Sequence, residues 1–443
     1  MGIWSQVSNM ASQTPDDRNR YVDFLRAISI LVVIIGHWLI ATAWFVDGGL
    51  AQGHLLKEQP QTQWLTWFFQ VMPIFFIVGG YSNAVSLESA KRKGTGYGGW
   101  LAARLNRLVA PLLILIVAWA VIAVVMRLMG VTSPVVQFAS QAALIPTWFL
   151  AIYIMIVILA PHAYRFWRRF GFLSFWIFAA AAASCDALFF IADIKWPGWT
   201  NYFWVWLAVH HLGFAWRDGR MGKVSTLLVY AAIGFAVLYL LIIKGPYPLA
   251  MVGSPDEGLS NTLPPKITLL ALGVFQFGIL LALEQPMRRL LDSARLWTAT
   301  VLVNSMIMTV YLWHITVMVV VVSVLFLLDG FGLRTEPGTT EWWLWRPVWV
   351  LLLAVLLVPV ALPLSTYERR GLKTDTAIPP VWRQIVGAML LCIGISLLAM
   401  FGYGGGPLPR FMVGSIDLDV GSFLLVIIGA ATSGLLPRFR AAK

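Results

Sequence analysis

Charged side chains are scarce in this chain. Asp, Glu, Lys and Arg make up 12% of its 443 residues, whereas soluble domains carry about 25%. Cysteine is scarcer still. The two cysteines, Cys185 and Cys392, both fall in apolar runs, which excludes a disulfide framework and a cysteine-based zinc motif. No serine nucleophile elbow, Walker loop, metal-ligand cluster or glycosyltransferase-type acidic pair is present. No cleavage-site pattern follows a short apolar core, so the first apolar run reads as an uncleaved anchor and not as a signal peptide. There is no soluble catalytic domain, internal repeat or low-complexity segment, and no pair of broken, symmetry-related spans of the transporter type is evident.

What the chain does have is hydrophobic length. It is 59% hydrophobic, with apolar runs at about 22–46, 64–87, 101–126, 142–161, 172–192, 200–216, 224–243, 267–284, 296–328, 346–366, 384–402 and 420–436. Repeated runs near 20 residues mark membrane spans. The ninth exceeds an upright crossing and is expected to tilt or to extend out of the bilayer. The fold expected is therefore all-α, a polytopic membrane helix bundle of about twelve transmembrane helices. It divides into a short cytoplasmic tail (1–19), a membrane core (20–370), and a segment with two additional spans and a cytoplasmic C-terminal tail (371–443).

The formal charge of +12 is read as topology and not as nucleic-acid affinity, because membrane proteins leave Lys and Arg on the cytoplasmic side. With the N-terminus inside, 24 of the 32 Lys and Arg fall on inner segments and 8 on outer ones. That asymmetry argues for twelve crossings with both termini cytoplasmic.

The stretch RYVDFLRAISILVVIIGHW, Arg20 to Trp38, carries ionisable residues where lipid penalises them: Asp23, Arg26 and His37. Such residues are functional candidates by default. Arg26 and His37 are eleven residues apart, about three helical turns, so they share one face about 16 Å apart along the axis. Imidazole is the side chain suited to take and return a proton near neutral pH. The other intramembrane histidines are His210, His211 and His314; helix arithmetic puts His314 at a depth similar to His37. His54 and His162 are read as incidental. Asp186, inside the fifth span, is a candidate to orient an imidazole, to pair with an arginine, or to tie two spans. Arg104 and Arg107 share a helix face and, with Arg26, would form a cationic inner mouth for phosphate groups. Gly79 and Gly80 permit close helix contact or close approach to a ligand. Trp148 and Tyr153 are candidates to line a cavity or to sit in the aromatic belt.

In order along the chain, these motifs resemble the integral-membrane acyltransferase family 3. Arginine, ten residues and histidine fall on Arg26 and His37. MPIFFIVGGYSNA is similar to the family's second-span signature, with Gly79 where serine is usual. RLNR matches the paired-basic motif at Arg104 and Arg107, PTWFL the middle tryptophan motif, YLWHI (Tyr311 to Ile315) the late tyrosine-histidine motif, and STYERRG the closing signature at Glu368 and Arg369. The resemblance covers roughly 20–370 and implies transfer of an acyl group, commonly acetyl, from cytoplasmic acyl-coenzyme A to a hydroxyl of an extracytoplasmic glycan or glycolipid, with no metal. It makes His37 essential; Arg26 and Asp23, ionisable residues of the same stretch, are the catalytic candidates beside it. It maps the family's arginines to Arg26, Arg104 and Arg107, the residues expected to hold the donor's phosphates; taken with the reading of the residues themselves, Trp148, Asp186, His211, Tyr311 and His314 are expected as substrate-contacting or supporting residues.

The family core usually has about ten spans, and many relatives carry a fused extracytoplasmic esterase-like domain. This chain has two extra spans and no such domain, which leaves action alone, as a homodimer or with a separate envelope partner. Its Ala, Trp and Arg usage resembles actinobacterial members, some of which modify envelope glycolipids. Two roles for His37 stay open, general base or transient acyl carrier. A reading of a different class is a lipid or glycolipid transporter that uses the intramembrane His and Asp as a proton relay.

Overall fold

The structure is a computed structural model. It describes residues 3–15, 17–253, 258–370, 378–413 and 416–436; the Tyr367, Arg369 and Arg370 side chains and the basic C-terminal segment fall outside this set. Among the described residues, nine helices are long and apolar enough to cross a membrane, or ten if a bent pair counts as one. The bent pair is Ile267–Ala282 with Glu284–Leu290, turned by 54°. Helices also occupy the two remaining expected spans, but they are short: Asn201–Arg217 has 17 residues and Val420–Thr432 has 13. Helix is the natural outcome for these runs, because a spanning segment must satisfy its backbone hydrogen bonds internally.

Three features depart from the sequence reading. The first apolar run does not stay helical to residue 46. Helix Arg20–Ile40 ends where the Ala41 amide bonds the His37 carbonyl, and the chain continues as an antiparallel hairpin, Ala41–Val46 with Gly49–His54. Asp47 and Gly48 both have positive φ, 50° and 77°, the backbone of a tight two-residue hairpin turn. The long ninth run is not one tilted helix. It is Ala294–Ser305 followed by Ile307–Leu327, interrupted at Met306. Finally, the polar N-terminal tail contains helix Ile3–Ser12, whose Val7 and Ala11 are buried. This helix docks on the neighbouring bundle through Trp297, whose indole N–H reaches the Ala11 carbonyl at 3.3 Å and Thr14 Oγ1, just past the helix, at 3.0 Å.

The interior holds large aromatic side chains, with Trp38, Trp119, Trp167 and Trp206 fully buried. Helices Met72–Arg92 and Asn201–Arg217 cross almost backbone to backbone. A Cβ on Gly80 would stand 2.1 Å from the His210 carbonyl oxygen, and one on Gly213 would stand 2.0 Å from that of Ile77. Small residues are what allow such an approach between apolar helices. The two additional helices pack onto this body. The Tyr403 hydroxyl donates to the Ile116 carbonyl at 2.8 Å, and the Cys392 thiol lies 3.4 Å from the Ala151 carbonyl. Both cysteines are buried free thiols.

Candidate functional site

Helices Arg20–Ile40 and Ile307–Leu327 run side by side and bring His37 against His314. The His37 Nδ1 to His314 Nε2 distance is 2.8 Å, and the two rings lie within 5° of parallel. His314 is fully buried, while His37 is half-buried. The second ring nitrogen of His314, Nδ1, lies 2.6 Å from the Tyr311 carbonyl oxygen. Because a carbonyl can only accept, that nitrogen carries a hydrogen. With both rings neutral, His314 Nε2 is then an acceptor, His37 Nδ1 is the donor to it, and His37 Nε2 holds a lone pair. Hydrogen-bond partners thus select the tautomer, as they do wherever an imidazole acts as a base. The Trp38 indole donates to the His314 carbonyl at 3.1 Å, and the Trp119 indole to Thr316 Oγ1 at 2.9 Å. Tyr311 ties the same helix to the start of helix Thr147–Phe170 by donating to the Pro146 carbonyl at 2.7 Å.

The break at Met306 serves this arrangement. A helix start exposes backbone amides that need acceptors. Here Glu368 supplies them. Its carboxylate accepts from the Met308 amide (3.0 Å), the Thr309 amide (2.9 Å) and the Thr309 hydroxyl (2.7 Å). On the other side of the break, Asn304 Nδ2 donates to the Asp23 carbonyl at 2.9 Å. The sequence marks Glu368 as part of a motif but not as a cap. Its partners lie some sixty residues upstream, and no Pro or Gly flags the break between Asn304 and Ile307.

At the Arg26 end, the side chains expected to form a cationic group converge on Ser82. Arg26 donates to Ser82 Oγ at 2.9 Å and to Asp23 at 3.2 Å, while Arg104 reaches the Ser82 carbonyl at 3.4 Å. Arg107 is exposed and within electrostatic reach of Arg26, Arg104 and Glu368. Asp23 is buried and also accepts from Arg18 at 2.5 Å. That hydrogen bond raises the Arg18 pKa above its ordinary value. The Tyr153 ring lies against Gly79, where a Cβ would stand 2.9 Å from it. Ser82 stands inside the GGYSN motif, where nothing in the sequence alone marks it as the meeting point of two arginines.

Other expected site residues lie elsewhere. Asp186 accepts from Asn201 Nδ2 (2.9 Å), the Tyr247 hydroxyl (3.1 Å) and the Ile267 amide (2.8 Å). None of these partners is an imidazole or an arginine, so of the roles expected for Asp186 the geometry matches the tie between spans. Lys266 is buried beside it, with its ammonium 3.5 Å from the Phe189 ring centroid; burial lowers its pKa, against the opposing effect of Asp186. His211 Nδ1 donates to the Leu207 carbonyl of its own helix at 2.7 Å, and its ring packs against Trp167, Phe178 and Phe214. His210 faces Asn83 at 3.4 Å. Trp148 is half-buried against Phe149 and Tyr202, outside the histidine pair. The Arg369 side chain lies outside the described residues.

Against known proteins, the family model described as an acyltransferase domain matches residues 19–340, well over half of the chain. That stretch contains the histidine pair and the Ser82 arginines. No curated protein and no solved structure matches the chain.

Proposed function

The chain belongs to this acyltransferase family of the membrane, and from that premise we propose that it moves an acyl group from acyl-coenzyme A to a hydroxyl of an extracytoplasmic glycan or glycolipid. Acetyl is the simplest group, and succinyl or a longer chain is chemically equivalent at the reacting carbon. In this reading the Arg26 end faces the cytoplasm, both termini are cytoplasmic and the chain crosses twelve times. The support is the charge asymmetry, which follows the positive-inside rule. Arg26, Arg104 and Arg107 would hold the phosphates of the donor, as guanidinium groups suit phosphate oxygens.

The observation that carries the reading is the chain from the Tyr311 carbonyl through His314 to His37. It leaves His37 Nε2 unprotonated on the accessible member of the pair. In direct transfer, Nε2 takes the proton of the acceptor hydroxyl as the oxygen attacks the thioester carbonyl. The tetrahedral adduct then expels the coenzyme A thiolate, which takes that proton from Nε2. In the relay form, Nε2 itself attacks, the thiolate leaves, and the acceptor hydroxyl takes the acyl group from Nε2 while its proton goes to the thiolate. His314 and the Tyr311 carbonyl hold the tautomer in both cases.

Membranes containing the protein and radiolabelled acetyl-coenzyme A test the reading. Label is expected to enter the envelope glycan or lipid fraction, and His37→Ala to abolish this transfer. Full transfer by His37→Ala sinks both forms of the mechanism. Label trapped on His37 in the absence of acceptor selects the relay. Mass spectrometry of glycans and lipids from a deletion strain identifies the acceptor by the lost acyl mass.

A further inference from the structure

In the sequence His54 is a loop histidine without a role; the fold returns it to the end of the helix that carries His37. Helix Arg20–Ile40 stops one turn beyond His37, and the Ala41 amide that closes it bonds the His37 carbonyl. The hairpin then doubles back, and its register pairs Ala41 with His54. His54 therefore returns to the end of the helix that carries His37, at the side away from Arg26. The two imidazoles are near enough to act on each other electrostatically. Side chains alternate between the two faces of a strand. The neighbours sharing the His54 face are thus Ala41 opposite, Ala43 diagonally and Gln52 along the strand. His54 itself is half-buried.

The hairpin is also held in place. The Phe45 amide donates to the Leu333 carbonyl at 2.7 Å, in the segment that follows the His314 helix. The Phe45 ring packs on Phe326, centroids 5.9 Å apart, and under the Arg334 guanidinium at 5.5 Å. Beyond His54, Leu55 and Leu56 are buried and anchor the returning strand. The imidazole is thus delivered by a fastened element and not by a free loop.

We propose that His54 is the acceptor-side positioning residue, which hydrogen-bonds the hydroxyl-bearing acceptor and holds its reacting oxygen over His37. This rests on the acyl-transfer reading and adds to it the side from which the acceptor arrives. Donor and acceptor then meet at His37 from opposite ends of one helix, with Arg26 about three turns below and His54 above.

The test uses the full-length protein in membranes, with radiolabelled acetyl-coenzyme A as the probe and incorporation into the native envelope fraction as the readout. His54→Ala is expected to lower transfer at least tenfold while acetyl-coenzyme A binds with unchanged affinity, and His54→Asn, which keeps a hydrogen-bonding tip, to recover part of the rate. Wild-type transfer by His54→Ala, or an equal loss of donor affinity, overturns the proposal. As a second route, His54→Cys in intact cells is expected to react with a membrane-impermeant methanethiosulfonate and to lose its residual transfer on reaction. A thiol that reacts only after the cytoplasmic face is opened also overturns it. A wild-type protein that binds and consumes no acetyl-coenzyme A fails earlier, at the acyl-transfer reading, and is told apart by that binding measurement alone.

Discussion

The Tyr311 carbonyl and His314 Nδ1 stand 2.6 Å apart, and this one contact sets the proton positions on two imidazoles. It follows that His314 is expected to act on His37 and not on substrate. His314→Ala should lower the transfer rate about a hundredfold, the lower end of what general acid–base assistance supplies, and leave donor affinity unchanged. His314→Gln keeps an acceptor near the Nε2 position and should restore part of the rate. Transfer rates and donor binding measured on the same membranes check this; a loss confined to donor affinity contradicts it.

Glu368 caps the helix that carries His314, so its charge is expected to matter for position as well as for stability. Hydrogen bonds to a charged acceptor contribute about 1.5–3 kcal/mol. Glu368→Gln should destabilise the protein by about 2 kcal/mol and lower transfer through the displaced His314. Thermal unfolding in detergent, compared with the transfer rate at a temperature where the variant stays folded, separates the two effects.

Gly79 and Gly80 are adjacent but should respond differently to substitution. Gly80→Ala sets a methyl group against the His210 carbonyl and is expected to abolish accumulation of folded protein, since backbone cannot yield as a side chain can. Gly79→Ser meets the Tyr153 ring at 2.9 Å. Overpacking of this kind costs about 1–3 kcal/mol, so the protein should fold with Tyr153 displaced. Expression and melting temperature read both outcomes.

The arginines should divide by exposure. Arg104→Ala is expected to weaken acyl-coenzyme A binding about tenfold, or about 1.4 kcal/mol. Arg107 is exposed, and a charge in that position is screened by salt. Arg107→Ala should therefore cost donor affinity at low ionic strength and little at high. Binding titrations at two salt concentrations decide the matter.

Asp186 is expected to be silent in transfer. Asp186→Asn removes charge from a carboxylate with three hydrogen-bond donors and should lower the melting temperature, leaving the transfer rate per folded molecule unchanged. A specific loss of transfer would return Asp186 to the site.

Much of this architecture is legible in the sequence because lipid imposes one rule, an apolar run long enough to span, and eleven-residue spacing puts Arg26 and His37 on one face. The hairpin escapes that rule. Ala41 to Val46 is as apolar as the helix before it, and only the Asp47-Gly48 pair hints at a turn. The break at Met306 escapes for a different reason: Glu368 and Asp23 stabilise it from distant parts of the chain, and local sequence records neither. His54 stands in a short linking segment whose nearby charges, Lys57 and Glu58, read as ordinary solvated loop residues; it acquires meaning only through the register that pairs it with Ala41.

The two stretches of chain that carry His37 and His314, each helix with the segments that flank it, are joined at three levels. Asn304 bonds the Asp23 carbonyl at one end, the imidazoles and Trp38 meet the His314 turn in the middle, and Phe45 bonds Leu333 at the other end. They behave as the uprights of a ladder with the imidazole pair as its central rung. A thinner or thicker bilayer is met by tilting of helices, and here both uprights must lean together. The spacing of the rings is thereby insulated from the lipid, so the same chemistry should persist in membranes whose thickness changes with growth temperature or composition.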